Sequence, residues 1–135
     1  MKKLFRLCTK ALLVSAILTL LLSGAALADD NTIDMVVSPN VLNIESNGGS
    51  ISIHTDIDYV SEADTTVEVN GTEIEVISTF TDNCGNLVVK CDIDEVKGIV
   101  KDAYFADFVL TCNYNGGVYT GSDSVPVIRV ISQKP

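Results

Sequence analysis

The chain has 135 residues, with eighteen Asp and Glu against nine Lys and Arg and a formal net charge of −9. That balance excludes nucleic acid and anionic lipid as natural partners, because both need a basic face. The length supports one compact core and no second folded domain after a leader is set aside.

Residues 1–28 read as a cleavable signal peptide. Lys2, Lys3, Arg6 and Lys10 form a basic start without acids, Ala11 to Leu22 is apolar except for Ser15 and Thr19, and Ala26-Leu27-Ala28 supplies the small-x-small cleavage site. An uncleaved anchor would need roughly 18 apolar residues or more, and Gly24 with the small-residue site ends the run near that limit. The expected product is residues 29–135, a domain secreted to the periplasm, cell surface or medium with no membrane attachment. Four of the nine basic residues leave with the leader and all eighteen acids stay, so its net charge becomes about −13.

In the remaining chain, Asn31 to Val37 and Val41 to Glu45 are short apolar runs separated by Ser38-Pro39-Asn40, which reads as strand, kink and strand. Asn47-Gly48-Gly49 turns the chain. Ser50 to Ile57 then alternates, with Ile51, Ile53, Thr55 and Ile57 on one face and Ser52, His54 and Asp56 on the other. Asp58 to Asp64 is a polar loop. Thr66 to Asn70 and Glu73 to Phe80 flank Asn70-Gly71, whose residues supply the positive φ of a tight hairpin.

After a loop at Thr81 to Gly85, Leu87, Val89, Cys91 and Ile93 alternate with Val88, Lys90 and Asp92. Val96, Ile99, Val100 and Ala103 then fall at helical spacing, which predicts a short helix over 94–103 capped by Asp94, with Lys101 at its negative end. Tyr104 to Tyr114 returns to alternation, with Phe108, Leu110, Cys112 and Tyr114 facing inward. Asn115-Gly116-Gly117 is a turn, Val118 to Thr120 is short, and Val125 to Ile131 is a last strand that Pro126 places at a sheet edge. Seven to nine short strands with Gly and Asn turns and one helix predict an all-β, immunoglobulin-like two-sheet sandwich.

Several pieces together resemble a recurring Ig-like sandwich domain of exported bacterial and archaeal proteins. They are Ser38-Pro39-Asn40-Val41-Leu42-Asn43-Ile44, Ser46-Asn47-Gly48-Gly49, Val69-Asn70-Gly71, Gly85 to Lys90, and Gly121-Ser122-Asp123 running into Val127 to Ile131. The resemblance spans roughly residues 36–131. It implies an accessory module without catalytic residues. Where the pattern leads one to expect an Asp-rich loop, this chain has Asp82-Asn83-Cys84-Gly85-Asn86.

Cys8 belongs to the leader, so three cysteines remain in an oxidising compartment. Chain direction puts Cys84 and Cys112 at one end of the sandwich and Cys91 toward the other. A Cys84–Cys112 bridge is the first expectation, worth on the order of 3.5 kcal/mol by chain entropy. A Cys91–Cys112 bridge and no bridge at all stay open. Asp56, Asp58, Glu62 and Asp64 cluster around one loop and are candidate calcium ligands, although calcium needs six to eight oxygens in one place and a solvated loop accounts for them equally.

His54 reads as a surface residue. Ser52 or Cys84 with His54 would be the only nucleophile and base pair, with no third group, so the sequence predicts no enzyme and no cofactor. Tyr59, Tyr104 and Tyr119 are the only candidates for a stacking platform, and most Phe residues read as core. The Asn70-Gly71-Thr72 sequon is explained by the hairpin. The expected function is a structural, adhesive or protein-binding module whose partner is an unknown protein or cell-surface component, with a cation-dependent binding module using the acidic 56–64 loop and a small exported hydrolase or inhibitor as the alternatives.

Overall fold

A computed structural model describes residues 31–61, 63–114 and 116–131 of the chain. The leader at 1–28 with Cys8, the candidate ligand Glu62 and the turn residue Asn115 lie outside the described residues. The elements are β1 (Met35–Ser38), β2 (Leu42–Asn43), β3 (Ser50–Asp58), β4 (Asp64–Val69), β5 (Thr72–Ile74), β6 (Val76–Thr81), β7 (Asn86–Asp92), α1 (Ile93–Val100), β8 (Phe105–Tyr114) and β9 (Gly117–Ile128).

They form two sheets, a four-stranded one in the order β1-β3-β7-β6 and a five-stranded one in the order β2-β9-β8-β4-β5. Lettered along the chain, with β2 as A′ and β5 as C′, these are the A-B-E-D and A′-G-F-C-C′ sheets of an immunoglobulin-like sandwich. The predicted fold class is therefore the observed one. Inward residues of both sheets meet in one core, including Val37, Ile51, Ile53, Val89 and Cys91 from the first and Val67, Phe108, Leu110 and Val127 from the second. Val96 and Val100 of α1 join it from one end.

The helix is shorter than predicted, and its cap sits two residues earlier. Asp92, the last residue of β7, has extended backbone and accepts from the Asp94 N–H at 3.0 Å. Asp94 and Glu95 instead occupy the first turn, where their charge suits the positive end of the helix. The hairpin at Asn70-Gly71 is as expected, with φ of 49° and 85°.

Glu73 to Phe80 is not one strand. The chain leaves the five-stranded sheet after Ile74 and enters the four-stranded one at Val76. At the crossing, the Glu75 N–H donates to Glu95 Oε1 of α1 at 3.2 Å. Period-two alternation reports which way side chains face, not which strand supplies the backbone partner, so it runs on through the switch.

At the C-terminus the two predicted runs merge into the continuous β9, and Pro126 lies within it opposite Phe105. The Val127 N–H bonds to Tyr104 O, one residue before β8, so by alternation the missing N–H of Pro126 faces the other side. There β2 pairs only with Val127 and Ile128, and no ladder bond is lost.

Candidate functional site

The motifs that carried the family resemblance resolve into fasteners between distant backbone segments. Asn43 on β2 accepts from Glu45 N and Val130 N through Oδ1 and donates from Nδ2 to Val130 O, at 3.0–3.1 Å. Arg129 Nη2 donates to Lys101 O and Ala103 O, so the guanidinium takes up carbonyls left over at the C-terminus of α1. Lys97, which is buried on α1, donates from Nζ to Ser46 O.

Asn70 binds the start of β8, accepting from Asp107 N at 2.7 Å and donating to Phe105 O at 3.2 Å. Asp123 Oδ2 accepts from Val37 N at 2.9 Å and so ties β1 to β9. Gly121 is required by a close approach: a Cβ there would stand 2.4 Å from Ile33 O and 2.8 Å from Ile33 Cβ. These polar side chains are engaged with backbone and not aimed at a common point.

The acidic candidates divide between the sheets. Asp56 and Asp58 lie on β3 of the four-stranded sheet, while Asp64 opens β4 of the five-stranded sheet opposite Asn113. Asp56 Oδ1 already accepts from Asp34 N at 3.0 Å. Among the described residues, no three His, Cys, Asp or Glu side chains come together in a way that could hold a metal ion. In the loop where the family pattern is acidic, Asp82 Oδ1 accepts from Cys84 N and Asn86 N at 2.7 and 3.0 Å, closing the β6–β7 turn.

Neither expected disulfide is present, because Cys91 and Cys112 are both free and buried. Cys91 lies in β7 between Ile51 and Val76, at the α1 end of the four-stranded sheet. Cys112 lies in β8 between Thr65 and Tyr119, at the opposite end of the five-stranded sheet. The end assigned to Cys84 and Cys112 from chain direction is correct, but Cys112 points its sulfur at Thr65 Oγ1, 3.8 Å away. Burial, with Glu95 adding repulsion, pushes the Cys91 thiol up from 9.0 to about 11. Burial raises Cys112 too, opposed by the Thr65 hydrogen bond. Both are inert core thiols at neutral pH.

Ser52 and His54 are half-buried on the outer face of β3, where His54 stands opposite Val36 and Val88 and Ser52 opposite Ser38 and Lys90. No carboxylate occupies these register positions. The three tyrosines do not make a platform, since Tyr59 and Tyr119 pack against the core and Tyr104 is 81% exposed.

No protein-family model and no curated protein matches the chain.

The largest departure from the sequence reading concerns phenylalanine. Phe108 is in the core, whereas Phe80 and Phe105 are 43% and 53% exposed. Phe105 faces outward beside Pro126 on the five-stranded sheet, near Tyr104 and the 37% exposed Ile128. Asp102 and Asp107 are exposed on either side of this apolar patch. Parity along β8 assigns Phe105 to the face opposite Phe108, so its exposure was available from the alternation. Phe80 carried the wrong signal: parity with Ile74 and Val76 would turn it inward, but the bulge between Val76 and Ser78 shifts the register and puts it on the outer face beside Val88.

Proposed function

We propose that the chain is exported, that residues 1–28 are removed, and that the domain works outside the cytoplasm as a non-enzymatic Ig-like module that binds a protein partner. The leader pattern supports export, and the engagement of Asn43, Asn70, Asp123 and Arg129 with backbone supports a binding role over a catalytic one. The observation that carries the reading is the exposed patch of Tyr104, Phe105, Pro126 and Ile128 flanked by Asp102 and Asp107. An apolar centre whose rim carries both signs, Lys101 and Arg129 beside Asp102 and Asp107, suits a protein surface with an apolar centre and a complementary mixed-charge rim.

The test is capture of exported or surface proteins on the immobilised mature domain, compared with a Tyr104→Ala/Phe105→Ala variant. The expected result is one retained protein that the double variant loses and that higher salt releases. Retention unchanged by the double substitution would remove this patch as the contact surface. Mass spectrometry of the protein in the outer compartment is expected to give Asp29 as the first residue, and a chain still carrying residues 1–28 would overturn the export reading.

A further inference from the structure

We infer that the chain self-associates through β6, two copies pairing their β6 strands antiparallel across a two-fold axis to join their four-stranded sheets. The other sheet edges are short or covered. β2 has two residues and β5 three, and the Val37 N–H of β1 is capped by Asp123 Oδ2. β6 has six residues and ends its sheet, with no strand beyond it among the described residues. Its sequence, Val76-Ile77-Ser78-Thr79-Phe80-Thr81, has no charge and no proline.

Natural edge strands are normally defended by charge, proline or a covering segment. The bulge between Val76 and Ser78 interrupts only the first part of this one. In a chain of net charge −9, a contact between copies has to avoid the acids, and a neutral strand is where it can form. A basic partner would instead be drawn to an acidic surface. That difference selects a second copy as the occupant, with a strand from another protein as the alternative to be tested.

The register follows from the ladder. The Asp82 N–H donates to Asn86 O, and Phe80 stands opposite Val88. Residues 78, 80 and 82 therefore turn their backbone groups toward β7, and Thr79 and Thr81 turn theirs outward. A two-fold axis at Phe80 sets Thr79 of each copy against Thr81 of the other, satisfying every outward group of the pair. Phe80 then meets Phe80 in a non-hydrogen-bonded pair, where Cα atoms approach to about 4.5 Å and side chains are closest. Each ring extends the outer-face row Val36, His54, Val88 and Phe80. The same register places Asp82 of one copy beside Ser78 of the other, one strand away from Lys90.

Sedimentation velocity over a range of concentrations, on protein purified from the compartment where it accumulates, tests this. The expected result is a concentration-dependent dimer that strengthens with salt, because the two copies carry like charge. Thr79→Pro removes an outward N–H without costing a bond to β7, and Phe80→Lys sets two like charges on the axis. Each is expected to raise the dimer Kd by roughly tenfold or more while leaving the melting temperature near that of the parent. A monomer at every concentration would overturn the inference and leave the edge to a strand from another protein. A dimer unaffected by both substitutions would overturn it as well.

Discussion

At the α1 end of the sandwich, side chains reach across to hold backbone segments far apart in sequence: Asn43 holds Val130, Arg129 holds the end of α1, Asn70 holds β8 and Lys97 holds Ser46. At the opposite end the polar side chains serve mostly their own turns, as Asp82 does, and the long-range fastening is backbone packing, with the Ile33 segment laid directly on Gly121. The first kind of end tolerates small shifts, since each bond can lengthen separately. The second kind has no slack, because a Cβ on Gly121 would stand only 2.4 Å from Ile33 O, well inside contact, so nothing larger than hydrogen fits there.

Gly121→Val should therefore produce the largest effect of any single change at either end. The added side chain collides with main-chain and Cβ atoms of Ile33, so the N-terminal segment has to lift from β9 and its bonds between Thr120 and residues 31 and 33 are lost with it. A destabilisation of about 3 kcal/mol or more is expected from overpacking of this kind, read as the shift of a urea unfolding midpoint. A loss below about 0.5 kcal/mol, the range of an ordinary surface change, would show that the close approach is not a constraint.

The difference between the ends also explains what the amino-acid pattern could reveal. Alternation at Ile51 to Thr55 and Phe108 to Cys112 identifies the inward faces, because burial of one face of a strand leaves a period-two trace. The Asn70-Gly71 turn is legible for a similarly local reason, the positive φ of both residues. The change of sheet at Glu75 is not, since it alters backbone partners without altering side-chain direction. Nor are the roles of Asn43, Asp123 and Gly121, each of which depends on a segment 86 to 88 residues away that comes near only when the chain is folded.

The same limit applies to the cysteines, where chain direction gives the end but not the distance across the core. It also applies to the acidic cluster of Asp56, Asp58 and Asp64, which the topology divides between two sheets.

The two buried thiols sample the two ends separately. Cys91, under α1, has its pKa raised from 9.0 to about 11 in the folded chain. The unfolded chain loses that proton near pH 9 and the folded chain keeps it to about pH 11. The stabilisation is thus fully present below pH 9 and is lost as pH rises through the folded value. About 2–3 kcal/mol of stability should disappear across that window, at 1.36 kcal/mol per pH unit. Urea titrations at pH 8 and pH 11 on the parent and on Cys91→Ala check this, and the alanine variant should show the smaller decline. Equal declines would place the alkaline sensitivity elsewhere, with Cys112 at the other end as the next group to replace.

Asn43→Ala measures the side-chain fastening itself. The substitution removes an acceptor for two N–H groups and a donor to Val130 O, at a position that is only half-buried, so water can replace part of what is lost. At about 0.5–1.5 kcal/mol net for a typical hydrogen bond, with some solvent compensation, the expected cost is about 1–2 kcal/mol. Asp82→Ala removes a comparable number of bonds from the opposite end, but all of them lie within five residues of chain.

Losing a local turn relaxes the backbone there and leaves distant segments in place, whereas losing Asn43 frees the C-terminal residues from β2. Amide hydrogen exchange separates the two cases. Asn43→Ala should raise exchange at Ile44 and Val130 together, across 86 residues of sequence, while Asp82→Ala should raise it only between Asp82 and Asn86. Faster exchange confined to Glu45 and Ser46 in the first variant would mean that Asn43 closes its own turn and does not join the two segments.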